Sequence, residues 1–450
     1  MTLKPIDEKI NICQFVIDEC KKKGADDIIV YFEDSQTTST SVSRLNVEDV
    51  SYENNLGISV RIIKDYRCLT FNSANLREDT LIKLIDRSIS AISHLPKNEH
   101  LKVMPAIKVH TDNLNIYDEY IHKLNIEERS KFLINIEKNG LNIDTLIKTD
   151  ICKLIDSFQE TLLMTSKGFC DSYKETDFTL LYSAITSGDE IGTEQYLYDS
   201  TRFFKDLNRD NIELIAAKRA IELRSNETIP SQKIDLFIEP RLAMDFIEYI
   251  EDALDGPSIN KKISFLADKI GEFIGNEKLT LIDDGTVSSK TGTLPFDAEG
   301  LPVKKKAIIE NGEIKIALHD VLSAGEMQVE PTGNAIQTSY LRTHGISSFN
   351  LVLESGEISP KDVLSDIKKG IYLYSFSDTG GVDTISGNFS VEAKGIYIEN
   401  GKLSSPLNHL TLASTLPEMI KNMEFCSDST WFDDSCMPSI RIKDVIVSCE

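Results

Sequence analysis

Apolar side chains recur with helical spacing in the middle of the chain, over residues 241–254. These side chains are Leu242, Phe246, Ile250 and Leu254. A spacing of four residues places them along one side of a helix, and Gly256-Pro257 predicts where the helix ends. The polar positions around the helix include Glu248, Glu251 and Asp252. The pattern therefore predicts an amphipathic helix with one buried side.

The first half of the chain combines helical and strand patterns. Amphipathic helices are predicted at 8–23, 76–93, 126–138 and 211–223. Strands rich in β-branched and aromatic residues are predicted at 27–32, 37–42, 47–52 and 57–63, and at several places within 151–198. The Asn-Asn-Leu-Gly run at 54–57 predicts a turn. This layout predicts an α+β fold that begins with an α/β sandwich-like domain containing an antiparallel sheet.

Short strands dominate the second half of the chain. They are predicted at 279–282, 304–309, 314–320, 350–354, 370–375, 390–398, 405–412 and 440–447, with helices at 263–274, 359–366 and 417–422. Asn311-Gly312 predicts a type I′ hairpin turn. We expect a β-rich, curled or barrel-like C-terminal domain. The polar segment 225–231 predicts a linker, which divides the chain into domains at 1–227 and 228–450.

Composition excludes several classes of function. The 450 residues carry a formal net charge of −23, which argues against binding to nucleic acid or to an anionic membrane. The sequence has no run of 18 apolar residues and no hydrophobic signal core at its start, so we expect no membrane span and no export. The eight scattered cysteines are typical of a reducing compartment. Together these features predict a cytoplasmic protein.

Local spacing in the sequence does not yield a catalytic site. None of the seven histidines belongs to a His-Glu-x-x-His motif, and His319 and Asp320 fall in a predicted strand, where neighbours point to opposite faces. The acidic residues of the central helix could bind a hard cation, but a solvated helix face is the preferred interpretation. Asp297 and Glu299 could act as paired carboxylates, although such residues more often satisfy backbone donors in a turn.

Six short motifs carry a resemblance to a known family. In order, they are Leu-Ile-Asp-Asp-Gly at 281–285, Phe-Asp-Ala-Glu-Gly-Leu-Pro at 296–302, Ile-Glu-Asn-Gly at 309–312, Pro-Thr-Gly-Asn at 331–334, Gly-Gly-Val-Asp-Thr-Ile-Ser-Gly-Asn-Phe at 380–389 and Ile-Glu-Asn-Gly at 398–401. Their order and spacing resemble the C-terminal half of the TldD/PmbA proteins. The resemblance extends more weakly over the residues before 230.

The resemblance locates a zinc motif that this chain has lost. Catalytic members of the family carry His-Glu-x-x-x-His on the helix equivalent to 241–254. The matching positions here hold Glu248, Tyr249 and Ala253, so neither histidine is present. Those members also use a late cysteine as a metal ligand; Cys436 lies in that region, but without histidine partners a structural cysteine is the preferred interpretation. We therefore expect no catalytic residue, no metal and no cofactor in this chain.

The resemblance implies the PmbA (also called TldE) branch of the family. The chain would be a non-catalytic subunit of a cytoplasmic zinc metallopeptidase that cleaves unfolded or modified peptides, with the zinc held by a TldD-like partner subunit. It would form part of the peptide chamber. One alternative is a stand-alone peptide-binding or adaptor protein, and another is a hydrolase that uses Glu248 or Asp297. A homodimer is also open from the sequence.

Polar loops are candidates for contact with an extended peptide, which could add as a strand to a sheet edge. The candidate residues are Thr332, Gly333, Asn334, Gly380, Gly381 and Asp383. Ordinary surface turns are an equally good interpretation of these loops.

Overall fold

The computed structural model describes residues 4–109, 114–188, 192–224, 227–378 and 380–449. The fold is mixed α+β, as the sequence predicts, with an antiparallel sheet in the first half and a closed β-barrel in the second. No helix among the described residues is both long enough and apolar enough to cross a membrane. The predicted linker at 225–231 lies only partly within the described residues, which leave out Ser225 and Asn226. The domain boundary at 227/228 stays a prediction.

One six-stranded antiparallel sheet organises the first half. Its helices are α1 (Ile6–Lys22), α2 (Glu78–Ile92), α3 (Ile126–Leu141) and α4 (Ile212–Glu222). Its strands are β1 (Asp27–Ser43), β2 (Asn46–Lys64), β3 (Arg67–Ser73), β4 (Ile147–Thr165), β5 (Cys170–Thr186) and β6 (Glu194–Thr201), in the order β3-β2-β1-β4-β5-β6. Apolar residues of the four helices pack against one face of this sheet. The opposite face packs against Phe296 and Tyr340 from the second half of the chain.

The predicted turn at 54–57 is wrong, because β2 runs through it without interruption. Gly57 pairs with Glu33 of β1 in the middle of the ladder. A Cβ atom at Gly57 would lie 2.4 Å from Cε2 of Tyr340, so glycine is needed here for the close approach of that ring. The two predicted strands at 47–52 and 57–63 are therefore one strand.

The second half begins with elements that surround the central helix. They are β7 (Gln232–Ile238), α5 (Pro240–Asp252), α6 (Gly256–Asn260), β8 (Leu281–Asp284), β9 (Lys305–Glu310), β10 (Glu313–Ile314), α7 (Val321–Met327), β11 (Ala335–Ile336), β12 (Gly345–Ile346) and β13 (Leu351–Leu353). The remaining elements are α8 (Pro360–Asp366), β14 (Lys369–Asp378), β15 (Val382–Asp383), β16 (Asn388–Glu399), β17 (Lys402–Thr415), α9 (Leu416–Lys421), β18 (Met423–Phe425), β19 (Thr430–Phe432), β20 (Ser435–Met437) and β21 (Ile440–Cys449).

A closed barrel and a second sheet share one core. The barrel runs β14-β7-β21-β17-β16 and closes because β16 also pairs with β14. The second sheet has the order β10-β9-β8-β13-β20-β19. The apolar stripe of α5 packs into the core between them, as the sequence pattern predicts. Asn311 and Gly312 have φ angles of 49° and 76°, which confirms the left-handed hairpin turn between β9 and β10.

Two predicted elements of the second half are wrong. Residues 263–274 form turns rather than a helix, because their backbone N–H groups bond to other segments: Gly271 donates to the carbonyl of Ile314, and Ile274 donates to that of Gly312. The predicted strand 314–320 ends at Ile314. Asp320 instead begins α7, where its Oδ1 accepts a hydrogen bond from the backbone N–H of Ser323 at 2.8 Å.

Candidate functional site

Helix α5 presents its polar side to a cleft between the two halves of the chain. Pro240 occupies its first turn, and the apolar residues hold the helix against the barrel. Glu248 is exposed on the polar side. The ring of Tyr249 packs edge-on to Phe389, with 6.4 Å between ring centroids, and Ala253 is fully buried. Of the three positions that match the zinc motif, only Glu248 is exposed.

The cleft beside α5 has a volume of about 430 Å³. One wall is strand β6, which is an edge strand of the first sheet. The other wall is formed by the first turns of α5 and by β14. Side chains from both walls include Tyr196, Tyr198, Arg241, Asp245, Phe376 and Lys394. The cleft therefore offers a strand edge on one side and a helix on the other.

A second cleft of about 460 Å³ continues along the same strand. It lies between the end of β6, the segment 288–291 and the β19 region. Arg241 connects the two clefts, because its guanidinium donates to the carbonyl of Tyr198, approaches Asp210 at 3.6 Å and lies 4.2 Å from the ring centroid of Phe432. The two clefts form one groove along β6 with Arg241 near its middle.

Three carboxylates on or near α5 have raised pKa values. Desolvation, together with the charges of Asp245 and Asp434, raises the pKa of Glu248 to about 8. Desolvation also raises the pKa of Asp245 to about 6, against the opposing charge of Arg241. For Asp434, burial and then the neighbouring Asp433 raise the pKa to about 6. At neutral pH these three carboxyl groups, of which Asp245 lines the first cleft, are therefore close to their titration range.

Cys436 lies where the resemblance expects a metal-binding cysteine, on β20, which packs against α5. The side chain is buried, and burial raises the pKa of its thiol while the charge of Lys290 opposes that rise. The ammonium of Lys290 lies 4.4 Å from the ring centroid of Trp431. A thiol with a raised pKa and no imidazole on the facing helix is a poor zinc ligand. The residues present on α5 and β20 therefore do not fit a family-type zinc ion.

A different group of metal-type ligands lies at the junction of the two halves. Among the described residues, one set of three brings such atoms together: Glu299, Asp320 and His344. The guanidinium of Arg61 on β2 lies among them, with Nη2 2.7 Å from Glu299 Oε1 and Nη1 3.2 Å from His344 Nε2. His344 Nε2 is also 3.1 Å from Asp320 Oδ2. Arg61 already supplies the positive charge, so a metal ion would have to displace it.

Asp320 is strongly stabilised in its charged form at this junction. Burial alone would raise its pKa, but hydrogen bonds from His344 and Ser323 outweigh that effect and lower the pKa to about 2. Glu299 Oε2 also accepts the backbone N–H of Val321 at 2.7 Å. The sequence offered no signal for Arg61 or His344, whose partners are distant in the chain. For Asp320 the sequence does contain a local signal, because an aspartate just before an apolar segment is typical of the start of a helix.

Asp297 and Glu299 do not act as a catalytic pair in this geometry. Asp297 Oδ1 accepts the backbone N–H groups of Glu299 and Leu301, both at 2.9 Å, and its Oδ2 accepts that of Ala335 at 3.2 Å. Burial, and then the charge of Glu299, raises the pKa of Asp297, while the three backbone N–H donors oppose that rise. The turn interpretation agrees with these contacts. Glu251 has a comparable role, because its Oε1 accepts the backbone N–H of Ser348 at 2.6 Å.

The predicted peptide-contact loops lie outside the β6 groove. Asn334 is fully buried and donates to Asp283 Oδ2 and to the carbonyl of Ser347, both at 2.8 Å, and its contact with a peptide stays a prediction. Thr332 bonds with the backbone of His319, and Gly333 adopts a φ of 71° beside it.

The second group of predicted loop residues is exposed. Gly380 and Gly381 lie in the turn between β14 and β15, and Thr379 beside them lies outside the described residues. Asp383 Oδ1 accepts the backbone N–H of Ile385 at 2.9 Å. A role for these exposed residues in peptide contact stays a prediction. The sequence did not single out β6, because its edge position depends on strand pairing.

Comparison with known proteins identifies the family. Three family models match: PmbA/TldA metallopeptidase domain 1 over residues 29–92, the central domain over 119–224 and the C-terminal domain over 231–449. A metalloprotease of Methanocaldococcus jannaschii is 30% identical over 410 residues, which is 88% of this chain and 87% of that protein.

Two further relatives cover most of the chain. A metalloprotease PmbA homologue of Buchnera aphidicola is 24% identical over 399 residues, covering 88% of this chain and 86% of that protein. In structure, the chain resembles TldE from Thermococcus kodakarensis with a TM-score of 0.86 and 19% identity, over 97% of this chain and 100% of that one. At this identity the structural likeness concerns the fold.

Proposed function

This chain belongs to the PmbA/TldD family of metallopeptidases, and from that membership we propose that it is a non-catalytic subunit of the PmbA (TldE) type. It pairs in the cytoplasm with a TldD-type subunit, which holds the zinc ion, and it forms part of the chamber that binds unfolded or modified peptides. The observation that carries this proposal is the side-chain set on α5. Glu248, Tyr249 and Ala253 provide one carboxylate, one packed phenol and one methyl group, which do not make a zinc site.

The groove along β6 supports the peptide-binding part of the proposal. Within the described pairings, β6 pairs with β5 on one side and has no strand on the other. Because Arg241 bonds to the carbonyl of Tyr198 from the open side, the backbone groups of Tyr196 and Glu194, two and four residues earlier, face the same side. An extended peptide could add there as a further strand, with main-chain hydrogen bonds that do not depend on its sequence.

The deciding experiment compares peptide hydrolysis by this chain alone and by a mixture. The purified chain is incubated with casein and added zinc, with and without a TldD-type protein encoded by the same genome. We expect cleavage only in the mixture and its loss on chelation. Zinc-dependent cleavage by this chain alone would overturn the proposal. Peptide binding with no cleavage in either case would favour the stand-alone peptide-binding or adaptor protein.

A matched pair of variants tests whether β6 contacts the peptide. Tyr196→Pro removes the backbone N–H that faces the groove, whereas Tyr196→Ala removes the side chain and keeps the N–H. We expect the mixture to assemble with either variant, and we expect peptide cleavage to fall with proline and to persist with alanine. Equal activity of the two variants would show that the β6 edge does not hold the peptide.

A further inference from the structure

The outer edge of β2 is the longest strand edge without a partner among the described residues. Strand β3 pairs only with Ile58–Lys64 of β2, whereas β1 pairs with β2 almost to its tip. The segment 46–57 therefore has a neighbour on one side only, over about 40 Å at the usual rise of a strand. A row of backbone N–H and C=O groups faces outward along this length.

This part of β2 is held rigidly by the rest of the first half. The hairpin tip consists of Arg44 and Leu45, with φ angles of 53° and 61°. Their backbone N–H groups donate to Glu137 Oε1 at 2.9 Å and Oε2 at 2.7 Å, and Glu137 is a buried residue of α3. Strand β1 beneath it also pairs with β4. The edge is therefore preorganised, which lowers the entropic cost of binding a partner strand.

The side chains on both faces of this edge combine exposed apolar groups with carboxylates. Tyr52 is 66% exposed and Val47 is 44% exposed. Glu48 and Tyr52 lie on one face, since their positions differ by an even number, and Val47, Asp49 and Glu53 lie on the other. Glu48 and Asp49 are exposed and have no ion pair within the described part of the chain. Each face thus offers an apolar contact next to an unpaired negative charge.

We propose that the outer edge of β2, residues 46–57, is a docking strand for a protein partner that supplies an extended segment with Lys or Arg at alternate positions. The partner's backbone pairs with β2, and its alternating basic side chains share one face, where they lie opposite Asp49 and Glu53. Opposite charges across a strand pair are stabilising, and like charges are destabilising. This surface is separate from the β6 groove, so the inference does not depend on the proposed peptidase role.

Charge disfavours the simplest alternative occupant, a second copy of this chain. Two β2 edges paired around a twofold axis would bring six carboxylates into one narrow strip. Residues 46–57 contain neither Pro nor Lys, and the exposed Val and Tyr side chains leave apolar surface between the carboxylates of this edge. The one register irregularity between β1 and β2 lies near the tip, at Ser41/Val42, and leaves the rest of the edge regular.

The test uses a labelled peptide of about twelve residues that alternates Thr and Lys, and a Thr/Glu peptide of the same length. Affinity is measured by fluorescence anisotropy, and the contact is located by hydrogen exchange. We expect the Lys peptide to bind and to slow amide exchange in residues 46–57, with no change in β6. The Glu peptide should not bind. Protection of β6 rather than β2, or equal binding of both peptides, would overturn the proposal.

Charge-reversal variants complete the test without disturbing the core, since the changed residues are exposed. The triple variant Glu48→Lys, Asp49→Lys, Glu53→Lys should weaken binding of the Lys peptide by at least about tenfold, because the attractive charges of this edge become repulsive on both faces. The matched control reverses three exposed charges elsewhere, at Glu277, Glu354 and Glu357, and should leave binding within about twofold. Equal loss in both variants, or dimers of the chain alone that form through β2, would contradict the proposal.

Discussion

The carboxylates at the Arg61 junction and the carboxylates beside α5 have opposite electrostatic surroundings. At the junction, Glu299 forms an ion pair with Arg61, and Asp320 accepts a hydrogen bond from His344. Beside α5, Glu248 and Asp434 are close to other carboxylates. The pKa is lowered for Asp320 and raised for Glu248 and Asp434. The acidic residues therefore form two groups. In the compensated group, a cation or hydrogen-bond donors balance the negative charge; in the uncompensated group, the carboxylates lie beside other carboxylates.

The difference indicates which group is structural and which is available. A buried charge with a full set of partners fixes the arrangement of the segments that supply them, and losing one partner leaves the other uncompensated. An uncompensated carboxylate in a groove destabilises the folded chain by a small amount and can respond to a ligand or to a proton. The junction thus connects the two halves of the chain. The surface beside α5 is where we expect a ligand to bind.

The largest expected effect comes from removing the cation of the junction. Arg61→Ala leaves Glu299 buried without its ion-pair partner, and we expect the free energy of unfolding to fall by about 3–5 kcal/mol, as for other buried pairs that lose one member. Urea unfolding measures the change. Arg77→Ala is the control, because Arg77 is exposed and its ion pair with Asp79 is exposed as well. Similar small losses in both variants would erase the contrast between junction and groove.

The second effect concerns the close contact at the same junction. Gly57→Ala places a Cβ atom 2.4 Å from the Tyr340 ring, and we expect a loss of about 1–3 kcal/mol in the free energy of unfolding. The control is Gly345→Ala, where a Cβ atom meets nothing within 4 Å. Adding Tyr340→Ala to Gly57→Ala should make the glycine substitution itself nearly neutral. A Gly57→Ala protein as stable as wild type would show that Tyr340 moves freely.

A third prediction uses pH to test the compensated group. The folded pKa of Asp320 is about 2, below its ordinary value of 3.8, so its charge contributes stability above pH 4 that is lost as the pH falls through 2. Asp320→Asn keeps an acceptor for the start of α7 and should lower the free energy of unfolding by about 2 kcal/mol at pH 7. The difference from wild type should shrink toward pH 2. A pH-independent difference would assign the effect to packing.

The smallest effect is expected at Glu248, where substitution should raise rather than lower the free energy of unfolding. Because the pKa of Glu248 is raised from 4.5 to about 8, its ionisation destabilises the folded chain as the pH rises through that range. Glu248→Gln should therefore stabilise the protein by less than about 1 kcal/mol above pH 8, since solvent screens this exposed side chain, and by nothing near pH 4. Thermal melts at both pH values measure it, with Glu277→Gln as the exposed control. Destabilisation by Glu248→Gln would place Glu248 in the compensated group.

The sequence predicted features that depend on near neighbours and missed those that depend on distant ones. The apolar stripe of α5 and the Asn311-Gly312 turn follow from a few adjacent residues, and both are confirmed. The local pattern at Gly57 predicts a turn. Glycine is needed there because of the Tyr340 ring, which lies 283 residues away in the sequence and leaves no local signal. Segment 263–274 has a helical pattern, yet its N–H groups bond to distant carbonyls.

The candidate site shows the same limit. The apolar pattern predicted α5, and the resemblance to the family located the three positions of the altered zinc motif on it and at its end. It could not identify the β6 edge, because a strand becomes an edge only when the order of the whole sheet is known. Arg61 was also missed, since it meets Glu299 from a position 238 residues earlier. Charge compensation between such residues is a property of the folded chain and leaves no local pattern.

The order of strands in the barrel has a consequence for how the protein is made. Strand β7 opens the second half of the chain, yet its two neighbours, β14 and β21, come much later in the sequence. On the ribosome, the sheet of the first half can form as soon as β6 has emerged. Strand β7 must wait for β14 to cover one of its edges and for β21 to cover the other. During this interval we expect the nascent chain to be most prone to aggregation and most dependent on chaperones.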